Sequence, residues 1–83
     1  MKYLIRNIKD FKSLKIGDKF KFNIECGKEE KITLLVIDGD KIIRTALMKY
    51  TKKQTYEVYS VVERNVYLDM FVKHSNILDE DIL

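Results

Sequence analysis

The stretch KITLLVIDGDKIIRTALMKY, residues 31–50, decides how the chain is expected to fold. Residues 31–37 are almost continuously apolar, which is typical of a central β-strand. The pair Asp38-Gly39 follows, and it is a strong hairpin signal because a type I′ turn needs positive φ at both central residues. Residues 40–51 then form a second strand-like run. The stretch therefore predicts a hairpin at the centre of a sheet.

Further strand-like segments lie on both sides of this hairpin. Residues 19–26 alternate strictly between charged or polar side chains and apolar ones, as a half-buried strand does. Two more runs, 54–63 and 66–73, follow the candidate turns Lys52-Lys53 and Arg64-Asn65. A helix over residues 56–72 is the main alternative, but the many valines and tyrosines there favour strands. The pattern predicts a five-stranded antiparallel meander over residues 16–73.

The two ends of the chain differ in pattern from the central strands. Apolar side chains at Leu4, Ile5, Ile8 and Phe11 fall at helical spacing, which favours a short helix within residues 2–14, although a strand also fits there. Residues 76–83 form an acidic tail. Eighty-three residues suit one domain. We therefore expect a mainly β or α+β fold: either a small SH3-like or OB-like barrel, or a curled sheet covered by the N-terminal helix.

Pairing the strands across the predicted turns assigns every side chain to one of two faces, because opposed residues share a face. Leu35 then lies opposite Ile42, and Leu47 lies opposite Val58. One face is nearly all apolar and is the predicted core: Phe20, Phe22, Ile24, Cys26, Leu35, Ile37, Ile42, Ala46, Met48, Tyr50, Tyr59, Val61, Leu68, Met70 and Val72. A slip of one residue would exchange the two faces of a strand.

Composition excludes several classes of protein. With one cysteine and one histidine, the chain cannot be a disulfide scaffold or a cysteine-rich zinc module. Cys26 and His74 are the sole candidates for a nucleophile and its base, and Cys26 fits better as a small buried side chain. The acidic groups at residues 38–40 and 79–81 lack the spacing of a calcium loop. We expect no catalysis, no cofactor, no metal and no small-molecule substrate.

Charge points to a polyanionic partner. Residues 1–53 carry 14 basic and 7 acidic side chains, whereas residues 54–83 carry 2 basic and 6 acidic ones. Proteins that bind single-stranded nucleic acid combine basic grooves with aromatic stacking platforms. The second face of the predicted sheet, with the adjacent turn, supplies both: Lys19, Lys21, Lys49, Lys52, Lys53, Tyr56, Tyr67, Phe71 and Lys73. We expect these residues to bind nucleic acid or a nucleic-acid-binding protein.

The centre of that second face supports an alternative. Six apolar side chains lie there: Ile32, Leu34, Val36, Ile43, Leu47 and Val58. A contiguous apolar patch is normally covered or contacts a partner. This surface would suit a homodimer, or a protein-binding inhibitor or adaptor of the kind phages and mobile elements encode, such as an anti-CRISPR-like protein that blocks a host defence nuclease.

The cellular location is predicted from targeting signals that the sequence does not show. The N-terminal apolar run is too short for a signal peptide, and no run approaches the roughly 18 apolar residues of a membrane span. A single cysteine fits a reducing compartment. We therefore expect a cytoplasmic protein that does not enter a membrane.

Overall fold

A computed structural model describes residues 2–24 and 31–83, and in them the chain is mostly β. Five strands form one mixed sheet that curls into a half-barrel. The strands are β1 (Lys2–Asn7), β2 (Lys19–Lys21), β3 (Lys31–Asp38), β4 (Lys41–Tyr50) and β5 (Thr55–Tyr67). The single α-helix of this part of the chain, α1, spans Leu68–His74, and short 3-10 helices span Ile8–Asp10 and Asp79–Asp81.

The central strands form the hairpins that the sequence indicates, but with other registers: Leu35 lies opposite Thr45 instead of Ile42, and Leu47 lies opposite Ser60 instead of Val58. Strands β3 and β4 pair antiparallel up to Asp38 and Lys41, and the intervening Gly39 adopts φ +67°. Strands β4 and β5 meet at a turn closed by a 2.9 Å hydrogen bond from Thr55 N to Lys52 O. The two residues inside it, Lys53 and Gln54, have φ of +50° and +61°, as a type I′ turn requires.

The outer strands correct the prediction of a purely antiparallel meander with an N-terminal helix. The sheet order is β1-β3-β4-β5-β2, and β1 is parallel to β3. Residues 2–7 are therefore a strand, and only the single 3-10 turn at 8–10 is helical. The strand buries Leu4 beside its partner Leu34 and pairs the edge of β3, which a helix would leave without backbone partners. Strand β2 pairs with β5, far along the chain, instead of with β3.

A bulge reverses the predicted faces of the central hairpin. Val36 pairs with Arg44 but Ile37 pairs with Ile42, so Ile43 is an extra residue in β4. Beyond the bulge Leu34 lies opposite Ala46, and these two share the inner face. The buried residues of the inner core are Leu4, Phe11, Leu14, Phe22, Ile32, Leu34, Val36, Ala46, Met48, Tyr56 and Val58.

The predicted core face is therefore right for some residues and wrong for others. Phe22, Ala46 and Met48 do lie in the inner core. Leu35 and Ile42 are buried but belong to the opposite, outer face, and Met70 is 47% exposed. Cys26 lies outside the described residues. The bulge is the physical cause for Leu35, because one extra residue exchanges the faces of all residues beyond it.

The inner face is closed by the segment that joins β1 to β2. The ring of Phe11 lies 5.1 Å from Phe20 and 6.3 Å from Phe22, measured between ring centroids. Phe22 in turn packs against Tyr56 at 6.0 Å. Such aromatic pairs contribute roughly 0.5–1.5 kcal/mol beyond the area they bury. Residues 8–22 thus serve the covering role that the sequence assigned to an N-terminal helix.

The C-terminal segment covers part of the outer face. Strand β5 continues through Arg64-Asn65 instead of turning there, and the predicted strand at 66–73 is wrong because α1 begins at Leu68. Arg64 Nε donates to Thr45 Oγ1 at 3.4 Å, and its guanidinium lies 5.9 Å from the ring centroid of Phe71 in α1. The helix therefore sits against the end of the outer face that includes Thr45.

Candidate nucleic-acid interface

Strand register places four charged residues side by side across the sheet. Lys31 pairs with Lys49, Lys49 pairs with Glu57, and Glu57 pairs with Lys19. Because paired residues share a face and adjacent strands lie about 4.8 Å apart, these side chains form one row roughly 14 Å long on the outer face. The three lysines are exposed and Glu57 is half-buried. We call Lys19, Lys31 and Lys49 the lysine row.

Three further lysines lie next to the row. Lys21 follows Lys19 by two residues and so projects from the same side of β2. Lys52 and Lys53 belong to the β4–β5 turn, three and four residues beyond Lys49. All three are exposed. Together with the lysine row they form the basic patch: Lys19, Lys21, Lys31, Lys49, Lys52 and Lys53.

Among the described residues, no ion pair neutralises the ammonium groups of the patch. Within residues 2–24 and 31–83 the salt bridge that forms is Arg44 Nε to Glu63 Oε1 at 3.0 Å, in a different part of β4 and β5. Glu57 is the acidic side chain in the same row across the sheet. The six lysines of the patch and Glu57 therefore carry a formal charge of +5. Two unit charges about 5 Å apart repel by roughly 0.8 kcal/mol in water. A bound polyanion would relieve that repulsion.

The aromatic residues predicted to accompany these lysines lie elsewhere. Tyr56 is 2% exposed, and its ring packs 5.4 Å from Tyr50 on the inner side. Tyr67 is exposed but pairs with Lys41, which is eight residues from Lys49 and hence roughly 26 Å away along β4. The Nζ atom of Lys41 lies 5.1 Å from the Tyr67 ring centroid. The patch therefore lacks the predicted platforms.

The rest of the predicted nucleic-acid surface belongs to α1. Phe71 is half-buried beneath the guanidinium of Arg64, and Lys73 is exposed near the end of the helix. The structure thus brings together Lys19, Lys21, Lys49, Lys52 and Lys53, and it separates them from Tyr67, Phe71 and Lys73. Lys31 completes the row and was missed, because its position depends on pairing with Lys49 and the predicted register placed it elsewhere.

Most of the apolar residues considered for protein contact are inside the protein. Ile32, Leu34, Val36 and Val58 have no exposed area and form the inner core. Ile43 is half-buried and packs against that core. Leu47 lies on the outer face, opposite Thr33 and Ser60, and is half-buried. Of the six, Leu47 is the one that the outer face presents beside the basic patch.

Comparison with known proteins adds no assignment. The chain matches no family model, no curated protein and no solved structure.

The remaining candidates for chemistry do not assemble into a site in the described residues. No three histidine, cysteine, aspartate or glutamate side chains group there as metal ligands would. The carboxylate of Asp81 accepts a hydrogen bond from Leu78 N at 3.2 Å, so it stabilises its own turn. His74 is exposed at the end of α1, and Cys26 lies outside the described part. In that part, no helix is long and apolar enough to cross a membrane.

Proposed function

We propose that the protein binds nucleic acid, alone or within a nucleoprotein, by holding its phosphates on the basic patch. The observation that carries this proposal is the lysine row, which three separate strand pairings align on one accessible face. Lysine ammonium groups bind phosphates as point charges. Counterions that were condensed on those phosphates are then released, and this release drives association with nucleic acid. We infer that the protein acts without catalysis and in the cytoplasm, where an unpaired cysteine is stable.

The arrangement favours phosphate contacts over base-edge readout. Base edges are read by bidentate side chains such as arginine, asparagine and glutamine in a groove of the duplex. The patch consists of lysines on a sheet surface, and each lysine offers one flexible cation. We therefore expect binding with little sequence preference and with strong dependence on salt.

The alternative of a protein-binding inhibitor or adaptor receives less support. Four of its six contact residues have no exposed area, so a partner could not touch them in this fold. The basic patch would repel the basic surface of a nucleic-acid-binding protein, whereas it attracts phosphates, which carry the opposite charge. We therefore advance nucleic-acid binding as the function.

Fluorescence anisotropy with a labelled 15-nucleotide oligonucleotide tests the proposal. We expect binding in low salt that the double substitution Lys19→Gln and Lys49→Gln weakens by on the order of 30-fold in 0.1 M salt, since each phosphate contact contributes about 0.7–0.9 to the salt slope. The matched control is Lys9→Gln with Lys73→Gln, which removes the same charge from exposed positions outside the patch.

The control separates local from overall charge. Equal weakening by both double variants would show that net charge alone drives binding, and the patch would then be refuted. Absence of binding by the unaltered protein at low salt would overturn the proposal as a whole.

A further inference from the structure

A second bulge interrupts the pairing of β4 with β5 beside the lysine row. Met48 pairs with Val58, but Leu47 pairs with Ser60. Tyr59 is therefore the extra residue of β5, and it has no partner of its own on β4. Bulges redirect side chains and are common next to functional sites.

The register assigns Tyr59 to the outer face. Val58 has no exposed area and points into the inner core, so its neighbour Tyr59 points the other way. Ser60 follows on the same outer side, opposite Leu47. Tyr59 is half-buried and belongs neither to the inner core nor to the residues packed against it. Sequence patterning placed this residue in the core, because it gave the β4–β5 turn one residue too few and so paired Leu47, not Met48, with Val58.

The strand register places Tyr59 next to the charged residues of the patch. Glu57 is two residues earlier, about 7 Å along β5, with Lys49 and Lys19 on the strands to either side of it. Among the residues that the structure describes, Tyr59 makes no aromatic pair, whereas Tyr50 and Tyr56 pair with each other on the inner face. Its ring is thus a partly accessible aromatic surface beside a row of lysines.

We propose that Tyr59 is a stacking platform for a base of single-stranded nucleic acid whose phosphates lie on the basic patch. This inference rests on the proposed function and names its substrate class. The bases of a duplex are stacked within the helix and present their edges, whereas a single strand offers free base faces. A basic surface with an adjacent aromatic ring is the combination that single-strand binders use.

An oligonucleotide without bases isolates the contribution of stacking. The unaltered protein should bind a 15-nucleotide oligothymidine about tenfold more tightly than an abasic strand of the same length, which is within the range known for one stacked base. Tyr59→Leu should abolish that preference and leave the affinity for the abasic strand and the salt slope unchanged. Tyr59→Phe should keep the preference because the ring remains.

The matched control is Tyr67→Leu, which removes an exposed tyrosine at the far end of β5. It should leave both affinities unchanged. Equal binding of oligothymidine and abasic strand by the unaltered protein would overturn the stacking proposal, and so would an unchanged preference in Tyr59→Leu. Neither result would touch the phosphate contacts, which the lysine substitutions test separately.

Discussion

The outer face of the sheet has two halves that use their cations differently. In the half beneath α1, Arg64 bonds to Thr45 and lies over Phe71, and Lys41 lies over Tyr67. In the other half, the lysines of the lysine row make neither a cation–π contact nor an ion pair among the described residues. Cations in the covered half contact other side chains of the fold, whereas we propose that those in the bare half bind a ligand. The contrast locates the proposed site.

The largest expected difference between the halves concerns leucines on the same face. Leu35 has no exposed area in the covered half, and Leu47 is half-buried beside the basic patch. Leu35→Ala should lower the free energy of unfolding by about 2–5 kcal/mol, because it removes a buried side chain and leaves a cavity. Leu47→Ala should cost about half as much or less. Urea denaturation measures both, and equal losses would contradict the division of the outer face.

The cations themselves give the next prediction. Arg64→Gln should lower the free energy of unfolding by roughly 0.5–1 kcal/mol through the lost contact with Phe71 and leave nucleic-acid affinity unchanged. Lys49→Gln should do the reverse, weakening binding roughly 5–8-fold in 0.1 M salt without loss of stability. Thermal denaturation and anisotropy on the same two variants check this. If both variants changed the same property, the two halves would not differ in the way proposed.

Sequence patterning could identify the local features of this fold. Gly39 marks the β3–β4 turn, and Lys52-Lys53 marks the next one, because turn chemistry is encoded in a few adjacent residues. Alternation over residues 19–26 likewise indicates a strand; of it Lys19–Lys21 forms, and Phe22 is buried directly after the strand ends. Lys19, Lys21 and Lys49 were identified for the same reason, since charged side chains on strands lie on an accessible face. Lys52 and Lys53 were identified at the predicted turn, whereas Lys31 was missed.

Sequence patterning could not predict strand pairings and bulges, because these depend on residues far apart in the sequence. The parallel pairing of β1 with β3 and the pairing of β2 with β5 join segments more than 25 residues apart. The bulges at Ile43 and Tyr59 carry no local signal, yet each one changes which face the following residues occupy. Tyr56 and Tyr59 were assigned to the wrong faces for a different reason: the β4–β5 turn holds one residue more than predicted, so Tyr50 pairs with Tyr56. The aromatic part of the site was misplaced with them.

The smallest expected effect concerns Lys53, which belongs both to the patch and to the β4–β5 turn. Its φ of +50° is unfavourable for a residue with a side chain, so Lys53→Gly should raise the free energy of unfolding by roughly 0.5–1 kcal/mol. The same substitution removes one phosphate contact and should weaken binding a few-fold. Because stability rises while affinity falls, a loss of binding here cannot be attributed to unfolding. Reduced stability of this variant would contradict the turn geometry.

The salt dependence of binding tests the lysine row most directly. For single-stranded oligothymidine, six phosphate contacts predict that log K falls with log salt concentration with a slope of about −4. Replacing Lys19, Lys31 and Lys49 together by glutamine should halve that slope to about −2, because three of the six contacts disappear. A triple variant that folds and keeps the full slope would contradict the account, since the phosphates would then lie on other residues.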